Sequence, residues 1–499
     1  MSTIRRQSII SSVIVYLGFG LGALNTFLYG RLLDPAQYGL VGMFVSIGSI
    51  MFAFANLGAL SYITKFFPYY HDNLPPRRND LLNWALLISI FGFMLVTGAG
   101  ILFKPLIIRK FAHNSAELVH YYYWIFPFGF GLTLFSVLEA YGWQIKASVL
   151  TNYLREFQWR LYSLILIGLL VIGVLGNFDL FVKLYAFSYL FVALILFIYV
   201  ARKGQLHLTF SPSRVTRKFL PKIRQLIALA WTGNVMFNLS FYFAHLAIAA
   251  VVPGGLSAVG IFSMALYVAS LIQAPQRGVI AAAVGPLSRA WKDKDLERIR
   301  RIYTRSSVNL LIFSVGMFVL IVLNFRDGIL TFGLKKEYLM SLPIFWIIGI
   351  TRIVDMGTGL NTQIIGTSVY WRFDFITGII LITFTIPLNY LLARRFGVIG
   401  PAIADLITFS LYNGIRCLFL YRRFGMQPFT MRSLLVIVLG AAIYLLCKWL
   451  FGGYQGIIWI LIRSVAIVTL FGAGVIALKL SEDVLPVWAT VKKRLRINS

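Results

Sequence analysis

Apolar runs of membrane-spanning length, separated by short polar stretches, recur along the whole sequence. A helix needs about 20 mainly apolar residues to cross the hydrocarbon core of a bilayer. Inside lipid, every backbone hydrogen bond must be made within the segment, so we expect helices and no open strands. The pattern predicts an all-α polytopic membrane protein with about fourteen transmembrane helices. The predicted spans cover approximately residues 8–30, 38–60, 82–103, 119–141, 159–176, 180–201, a pair between 224 and 292, then 304–324, 338–365, 371–392, 398–421, 434–451 and 457–478.

The composition supports this class and limits the room for other functions. Hydrophobic residues make up 59% of the 499 residues, and charged residues only 13%. A soluble protein typically has about 25% charged residues. The polar stretches between spans are shorter than the roughly 50 residues that the smallest soluble domains need. We therefore do not expect an enzyme with a soluble catalytic domain.

The densest groups of basic residues fall on one side of the predicted topology. They are Arg202–Arg224, Arg289–Arg305 and Lys492–Arg496. The positive-inside rule assigns that side, and with it both chain termini, to the cytoplasm. The net charge of +29 thus reflects topology and implies attraction to anionic lipid head groups. We expect no nucleic-acid partner, and we expect residues 294–305 to form an amphipathic helix at the membrane surface.

Several polar or reactive residues stand alone in the sequence. Neither Cys417 nor Cys447 has a CxxC or CxxxxH neighbour, so we expect no metal site, no disulfide framework and no cofactor. Glu139, Asp374 and Asp405 lie near the ends of predicted spans, and we expect them at the membrane interface.

A short repeat relates the second and eighth spans. Val41–Phe44 lies near the start of the second span, and Val259–Phe262 lies near the start of the eighth. This alignment pairs Gly42 with Gly260. Because an even number of spans separates the copies, both cross the membrane in the same direction, as in parallel-repeat transporters. The repeat therefore predicts two similar halves.

Four further stretches carry a resemblance to a known family. They are Arg31–Leu40 after the first span, Asn152–Glu156 before the fifth, the Pro275 and Pro286 region of the eighth, and Phe396–Ala402 at the twelfth. With these features the chain resembles the polysaccharide-biosynthesis (O-antigen flippase) branch of the multidrug/oligosaccharidyl-lipid/polysaccharide exporter superfamily, hereafter the MOP superfamily.

The resemblance implies a domain organisation. Two pseudo-symmetric six-helix lobes, residues 1–201 and 224–423, would face each other across a central cavity and alternate between inward and outward access. A basic cytoplasmic linker, residues 202–223, would join them. Residues 424–499 would form two extra helices and a basic cytoplasmic tail.

The resemblance also implies a function and its partners. The expected substrate is a saccharide linked to undecaprenyl pyrophosphate, whose polar head cannot cross hydrocarbon unaided. A flippase of the bacterial inner membrane would carry it for lipopolysaccharide O-antigen or other cell-surface polysaccharide synthesis. The other expected partners are membrane lipids and a coupling proton or sodium ion. We expect a monomer, which could form a complex with the polysaccharide polymerase machinery.

Polar residues inside the predicted spans are the candidates for contact with this substrate. Arg277 is the first, because a guanidinium placed this deep should face a cavity or a partner and suits a diphosphate. Asn234 and Asn238 are four residues apart on one face of the seventh span, where they could bind sugar hydroxyls or neighbouring helices. Gln273 lies near Arg277, and Asn25 is the counterpart of these amides in the first span.

Three further residues are assigned from charge and titration. Arg352 and Asp355 lie three residues apart on the tenth span, and this spacing favours a structural ion pair over a substrate site. Asp355 is alternatively a residue for ion coupling. His245 on the seventh span is the other coupling candidate, since its ordinary pKa suits a proton relay, although packing also explains it.

Two other classes of function stay open. A multidrug or cation antiporter of the same superfamily would need acidic residues deep in its cavity, and the interiors of the first three spans have none. An integral-membrane polymerase or ligase acting on lipid-linked sugars would need catalytic charges in an outer loop. The outer loops contain few such groups.

Overall fold

The computed structural model describes residues 3–204, 206 and 211–483. Helices make up nearly all of this part of the chain, and no strand occurs in it. The predicted all-α membrane fold is therefore confirmed. The basic tail Lys492–Arg496 and part of the predicted linker, at 205 and 207–210, lie outside the described residues.

Each predicted span overlaps at least one helix, and we number the main helix of each span in chain order. The sixth span, 180–201, is divided between the helices Phe178–Ala186 and Ser188–Arg202. They are α1 (Thr3–Leu32), α2 (Pro35–Ala55), α3 (Leu81–Leu102), α4 (Ile125–Gln144), α5 (Trp159–Val171), α6 (Ser188–Arg202), α7 (Arg214–Val251), α8 (Gly255–Ser270), α9 (Leu296–Thr331), α10 (Ser341–Gly357), α11 (Trp371–Phe396), α12 (Gly400–Phe424), α13 (Met431–Phe451) and α14 (Ile457–Ala477). The shorter helices are Ala59–Asn73, Lys104–Phe111, Ala116–His120, Ser148–Asn152, Phe178–Ala186, Gln276–Lys292 and Asn361–Gly366.

The length and hydropathy of the helices support the assignment as a membrane protein. Twelve helical stretches of the described residues are long and apolar enough to cross a bilayer. One of them, Arg372–Phe424, contains both α11 and α12. The fifth helix has only 13 residues, and a π-helical segment, Tyr153–Gln158, precedes it and extends the helical path. The chain is a multi-pass membrane protein.

Two local predictions were wrong. Residues 294–305 do not form a separate surface helix, because α9 starts at Leu296, is capped by Asp295 and continues for 36 residues. The eighth span is not continuous either. After α8 comes a 3-10 turn, Leu271–Gln273, and a new helix starts at Gln276. Pro275 has no N–H to continue the hydrogen-bond ladder, which explains the break.

The chain divides into two compact units, Met1–Gly260 and Ile261–Ser499. In the N-terminal unit, α7 packs against α2 and against the helix Ala59–Asn73. In the C-terminal unit, α13 and α14 pack against α9. The predicted lobe limits at residues 201, 224 and 423 stay a prediction.

A buried carboxylate fixes the start of α7 within the N-terminal unit. Asp80 is 1% exposed and accepts hydrogen bonds from the Ser213 backbone N–H at 2.8 Å and the Thr216 hydroxyl at 2.7 Å. Trp84 donates to the same carboxylate oxygen at 3.1 Å. These contacts join the starts of α3 and α7, because Asp80 and Ser213 are the residues that precede the two helices.

The starts of α2 and α8 meet in a reciprocal glycine contact. A Cβ atom on Gly39 would lie 1.8 Å from the carbonyl oxygen of Leu256, and one on Gly260 would lie 2.0 Å from that of Pro35. Each glycine thus faces the carbonyl four residues before the other glycine. The contact joins Gly39 with Gly260, and the alignment of Gly42 with Gly260 in the predicted repeat stays a prediction. Only glycine permits so close a backbone approach.

Candidate functional site

The N-terminal unit contains a cluster of charged residues where α4 meets the π-helical segment. Glu139 on α4 is 2% exposed, and its carboxylate lies 2.7 Å from the guanidinium of Arg155 on that segment. π-Helical turns occur often at functional sites because they redirect a side chain. Here the turn aims Arg155 at a buried acid. Glu139, expected at the interface, is instead an interior residue.

A second ion pair lies one turn further on. Arg160 contacts the Glu156 carboxylate at 2.6 Å. The Arg160 carbonyl accepts a hydrogen bond from the Asn25 side chain of α1 at 2.8 Å. A Cβ atom on Gly18 would lie 2.4 Å from the Glu156 carbonyl oxygen, so α1 approaches this segment closely. Asn25 is therefore buried, and its hydrogen bond holds α1 against α5.

Sequence reasoning missed this cluster. The sequence pattern identifies residues 152–156 only as a family-like motif. The signal that could have found it is the group of charged residues Arg155, Glu156 and Arg160 next to an apolar run. Ionisable residues at the edge of a span usually have a partner or a function.

The predicted polar face of α7 is present. The Asn238 side chain donates to the backbone carbonyl of Asn234 at 2.9 Å and to its side-chain oxygen at 2.6 Å. Asn238 is 9% exposed, whereas Asn234 is half-buried. His245, further along α7, is buried at 5% exposure. Asn234 is therefore the most accessible of the three.

The C-terminal unit contains a carboxylate surrounded by amides. Asp355 on α10 accepts hydrogen bonds from the side chains of Gln273 at 3.1 Å, Gln276 at 3.2 Å and Asn413 at 3.1 Å. The break between α8 and the next helix presents the two glutamines, and α12 presents Asn413. The structure thus brings together Gln273 and Asp355, which were predicted separately. We call Gln273, Gln276, Asp355 and Asn413 the amide cluster.

The predicted Arg352–Asp355 ion pair does not form. No N–O distance of 4.0 Å or less joins the two in the part of the chain that the structure describes. Arg352 is 7% exposed, and its Nε has no hydrogen-bond partner among the described residues. Asp355 and Asp405 act on it electrostatically without direct contact. The neighbouring amides compete successfully for Asp355, which same-helix spacing cannot reveal.

A second layer orients Asn413. Its side-chain oxygen accepts hydrogen bonds from Thr358 at 3.1 Å and from Asn361 at 3.0 Å. Its NH2 group therefore points to Asp355. Thr358 and Asn361 are both almost fully buried, so this orientation is fixed by the interior of the unit.

One turn after Asn413, Arg416 forms a separate, neutralised centre. It is 1% exposed, pairs with Asp374 of α11, and donates to Thr362 and to Thr377. Its guanidinium lies 3.7 Å from the ring centre of Tyr412. Sequence reasoning missed Arg416, although an arginine within an apolar helix is itself a signal.

Arg277 is placed differently from the amide cluster. It is the second residue of the helix that starts at Gln276, and its side chain is exposed. The Arg277 side chain makes no ion pair and no hydrogen bond with other described residues. The guanidinium is thus available to an external anion.

Comparisons with known proteins give the fold and no sequence relative. No family model and no curated protein sequence matches the chain. The solved structure of the lipid II flippase MurJ in an inward closed conformation matches with a TM-score of 0.68 at 14% identity, covering 93% of this chain and 98% of that one. A multidrug resistance MATE family transporter of the MOP superfamily, in an inward-facing conformation, matches with a TM-score of 0.66 at 14% identity, covering 84% and 98%. A MATE transporter in complex with MaL6 matches with a TM-score of 0.52 at 15% identity, covering 83% and 97%.

At these identities the likeness establishes the fold alone. The resemblance predicted from the sequence is confirmed at that level. The chain has the fold of the MOP-superfamily transporters.

Proposed function

We propose that the chain is a flippase for a lipid-linked oligosaccharide or polysaccharide repeat unit, carried on undecaprenyl pyrophosphate and moved across the bacterial inner membrane by alternating access. The observation that carries the proposal is the extent of the likeness to MurJ, which covers 93% of the chain. The uncovered part is shorter than α13 and α14 together, so the likeness must include some of this final pair. The MATE likeness, at 84%, need not include the pair.

The proposed contact with the diphosphate head is Arg277. A guanidinium binds phosphate oxygens in pairs, and a charged hydrogen bond of this kind is strong. The exposed and unpaired side chain of Arg277 supports this role, whereas Arg352 is buried and Asn25 attaches α1. Asn234 is the proposed amide contact for sugar hydroxyls, with Asn238 holding it.

The proposed coupling residue is Asp355, and Gln273 belongs to its site rather than to the saccharide. Asp355 is partly exposed and has only neutral hydrogen-bond donors around it. A carboxylate without a direct ion pair is costly inside a membrane, so we assign the binding of a coupling proton or sodium ion to this residue. Rotated amides of Gln273 and Gln276 would offer the oxygen ligands that hard cations prefer. His245 is buried and is the second coupling candidate.

One observation favours a multidrug or cation antiporter instead. The same partly exposed Asp355 carboxylate, free of any guanidinium within 4.0 Å among the described residues, would also suit an organic cation. In that case Arg277 would repel the substrate and its removal would not reduce transport. The two functions therefore predict opposite effects of one substitution.

Complementation of a flippase-deficient strain tests the proposal. Wild type should restore surface polysaccharide, and Arg277→Ala should reduce the flux by about 10- to 100-fold, as expected for the loss of a charge-assisted contact. Arg277→Lys should retain part of it, and Arg289→Ala, an exposed arginine on the same helix, should retain all of it. Organic-cation efflux by a wild-type protein that rescues no polysaccharide pathway would establish the antiporter.

A further inference from the structure

An arginine-lined cavity lies away from the amide cluster, at the ends of three helices of the C-terminal unit. Its volume is ≈ 250 Å³, and residues at the start of α9, just before and within the start of α13, and after the end of α14 line it. Arg301, Arg305 and Arg432 supply its basic groups, and Glu482 and Asp483 supply its acidic groups. The predicted topology puts these helix ends in the head-group layer of the cytoplasmic face.

The carboxylate of Glu482 contacts two of the three arginines. One oxygen lies 2.5 Å from Arg305, and the other lies 3.1 Å from Arg432. Asp483 is 4.0 Å from Arg305 and is held mainly by Asn309 at 2.6 Å. One acid therefore bridges two guanidinium groups.

The third arginine, Arg301, takes no part in these ion pairs. Arg301 lines the same cavity and is exposed, and its side chain makes no ion pair or hydrogen bond with the residues that the structure describes. Three guanidinium groups thus face two carboxylates. A phosphate group has more acceptor oxygens than a carboxylate and would engage all three.

The contacts of Glu482 are of a kind that a ligand can displace. The side chains of Arg305, Arg432 and Glu482 are each about half exposed, at 48%, 48% and 51%. Exposed ion pairs contribute little net stability because water screens them and the side chains lose freedom. Glu482 is therefore a weak occupant of the cavity.

The surroundings favour a lipid over a soluble anion. Phe429, Met431, Leu434 and Leu478 adjoin the cavity along the chain, and 48% or more of each side chain is exposed. Apolar side chains next to a basic pocket offer a surface for acyl chains beside the phosphate.

We propose that Arg301, Arg305 and Arg432 bind the phosphate head group of an anionic lipid, and that Glu482 occupies this site in its absence. The side chain of Glu482 is then an internal competitor. Its removal strengthens lipid binding, whereas removal of an ordinary stabilising partner would not.

Native mass spectrometry of the purified full chain, released from nanodiscs of phosphatidylglycerol or phosphatidylcholine, measures this directly. Glu482→Gln should raise phosphatidylglycerol retention about threefold, consistent with a weak competing ion pair. Arg301→Gln should lower it about tenfold, consistent with the loss of a charge-assisted contact. Arg298→Gln is the matched control, since it removes one exposed charge from the same helix outside the cavity.

Three results would overturn the proposal. Unchanged or weaker retention with Glu482→Gln would make Glu482 a structural partner. Equal losses with Arg298→Gln and Arg301→Gln would mean diffuse attraction to a charged surface. Competition by inorganic phosphate at concentrations equal to the lipid would replace the lipid with a soluble anion. Thermal unfolding of each variant, recorded in the same detergent, separates misfolding from loss of binding.

Discussion

The two units stabilise their interior carboxylates in different ways. In the N-terminal unit, Glu139 and Arg155 neutralise each other at 2.7 Å. In the C-terminal unit, Asp355 has hydrogen bonds from three amides and no ion pair with Arg352, three residues away. A paired charge is insensitive to added ions, whereas an amide-bound carboxylate can still take up a cation. We infer that the first cluster maintains the structure and that the second changes state during transport.

The largest effect is expected from breaking the first pair. Glu139→Ala leaves the Arg155 guanidinium without its partner in a largely buried place. Removing one member of a buried pair costs about 3–5 kcal/mol, and the partial exposure of Arg155, 38%, reduces this to about 2–3 kcal/mol. Thermal or denaturant unfolding in detergent measures the loss.

The control for this variant is Asp72→Ala, which removes an exposed pair. The side chains of His71 and Asp72 are 69% and 72% exposed, so no measurable loss is expected. An equal loss in both variants would mean that Glu139 and Arg155 do not depend on one another. The double variant Glu139→Gln with Arg155→Gln should recover part of the stability, because it leaves no uncompensated charge.

The second expected effect is on transport rather than stability, and it rests on the proposed function. Asp355→Asn keeps an oxygen that accepts hydrogen bonds from Gln273 and Gln276 but carries no negative charge to attract a cation. Ion-driven flux should fall about tenfold, because one charged interaction is lost. The free energy of unfolding should change by less than about 1 kcal/mol. Transport into vesicles with and without proton or sodium gradients measures it.

The result distinguishes coupling from scaffolding. If Asp355→Asn still responds to a gradient as wild type does, Asp355 is not the coupling residue. If it unfolds as readily as Glu139→Ala, the amide cluster is structural and the comparison between the two units fails. His245→Gln, examined in the same vesicles, tests the other candidate.

A third variant gives the Asp355 carboxylate a positively charged partner, as Glu139 has in Arg155. Gln276→Arg would place a guanidinium where an amide now donates to Asp355 at 3.2 Å. A permanent counter-charge should reduce coupled flux about three- to fivefold, consistent with a partly exposed pair of modest strength. Gln276→Met, which is similar in length and uncharged, is the control and should reduce flux less. Equal reductions would mean that the amide, not the charge, matters.

The sequence predicted the helices much better than the contacts between them. Each span was found because burial in lipid requires a long apolar run. The break of the eighth span near Pro275 was not predicted. The spacing of Asn234 and Asn238 predicted that they share a helix face, and their mutual hydrogen bond lies on that face. The contacts of Asp355 come from other helices, so helix periodicity could not reveal them.

Residues without a same-helix partner were the ones missed or misplaced. Arg416 depends on Asp374 of another helix, and Glu139 depends on Arg155 of the π-helical segment. The close approach of Gly39 to Gly260 likewise joins two different helices. Three-dimensional pairing, rather than local pattern, decides each case.

The smallest effect concerns a third kind of charge, the exposed ion pairs of Glu482, and it rests on the lipid site. Hydrogen bonds from Arg305, then from Arg432, hold the pKa of Glu482 below its ordinary value of 4.5. Because this pKa is lowered on folding, the pairs are complete at neutral pH and are lost as the pH falls below that ordinary value. Arg301, Arg305 and Arg432 line the same cavity, and Asp483 is the other acid in it.

Retention of phosphatidylglycerol should therefore rise about two- to threefold on acidification below the ordinary glutamate range, because a protonated Glu482 no longer competes. Thermal unfolding should change little by this route, since the pairs are exposed. In Glu482→Gln the rise should disappear, and retention should be high at every pH. A rise that persists in this variant would assign the titration to Asp483, which Asp483→Asn would then abolish.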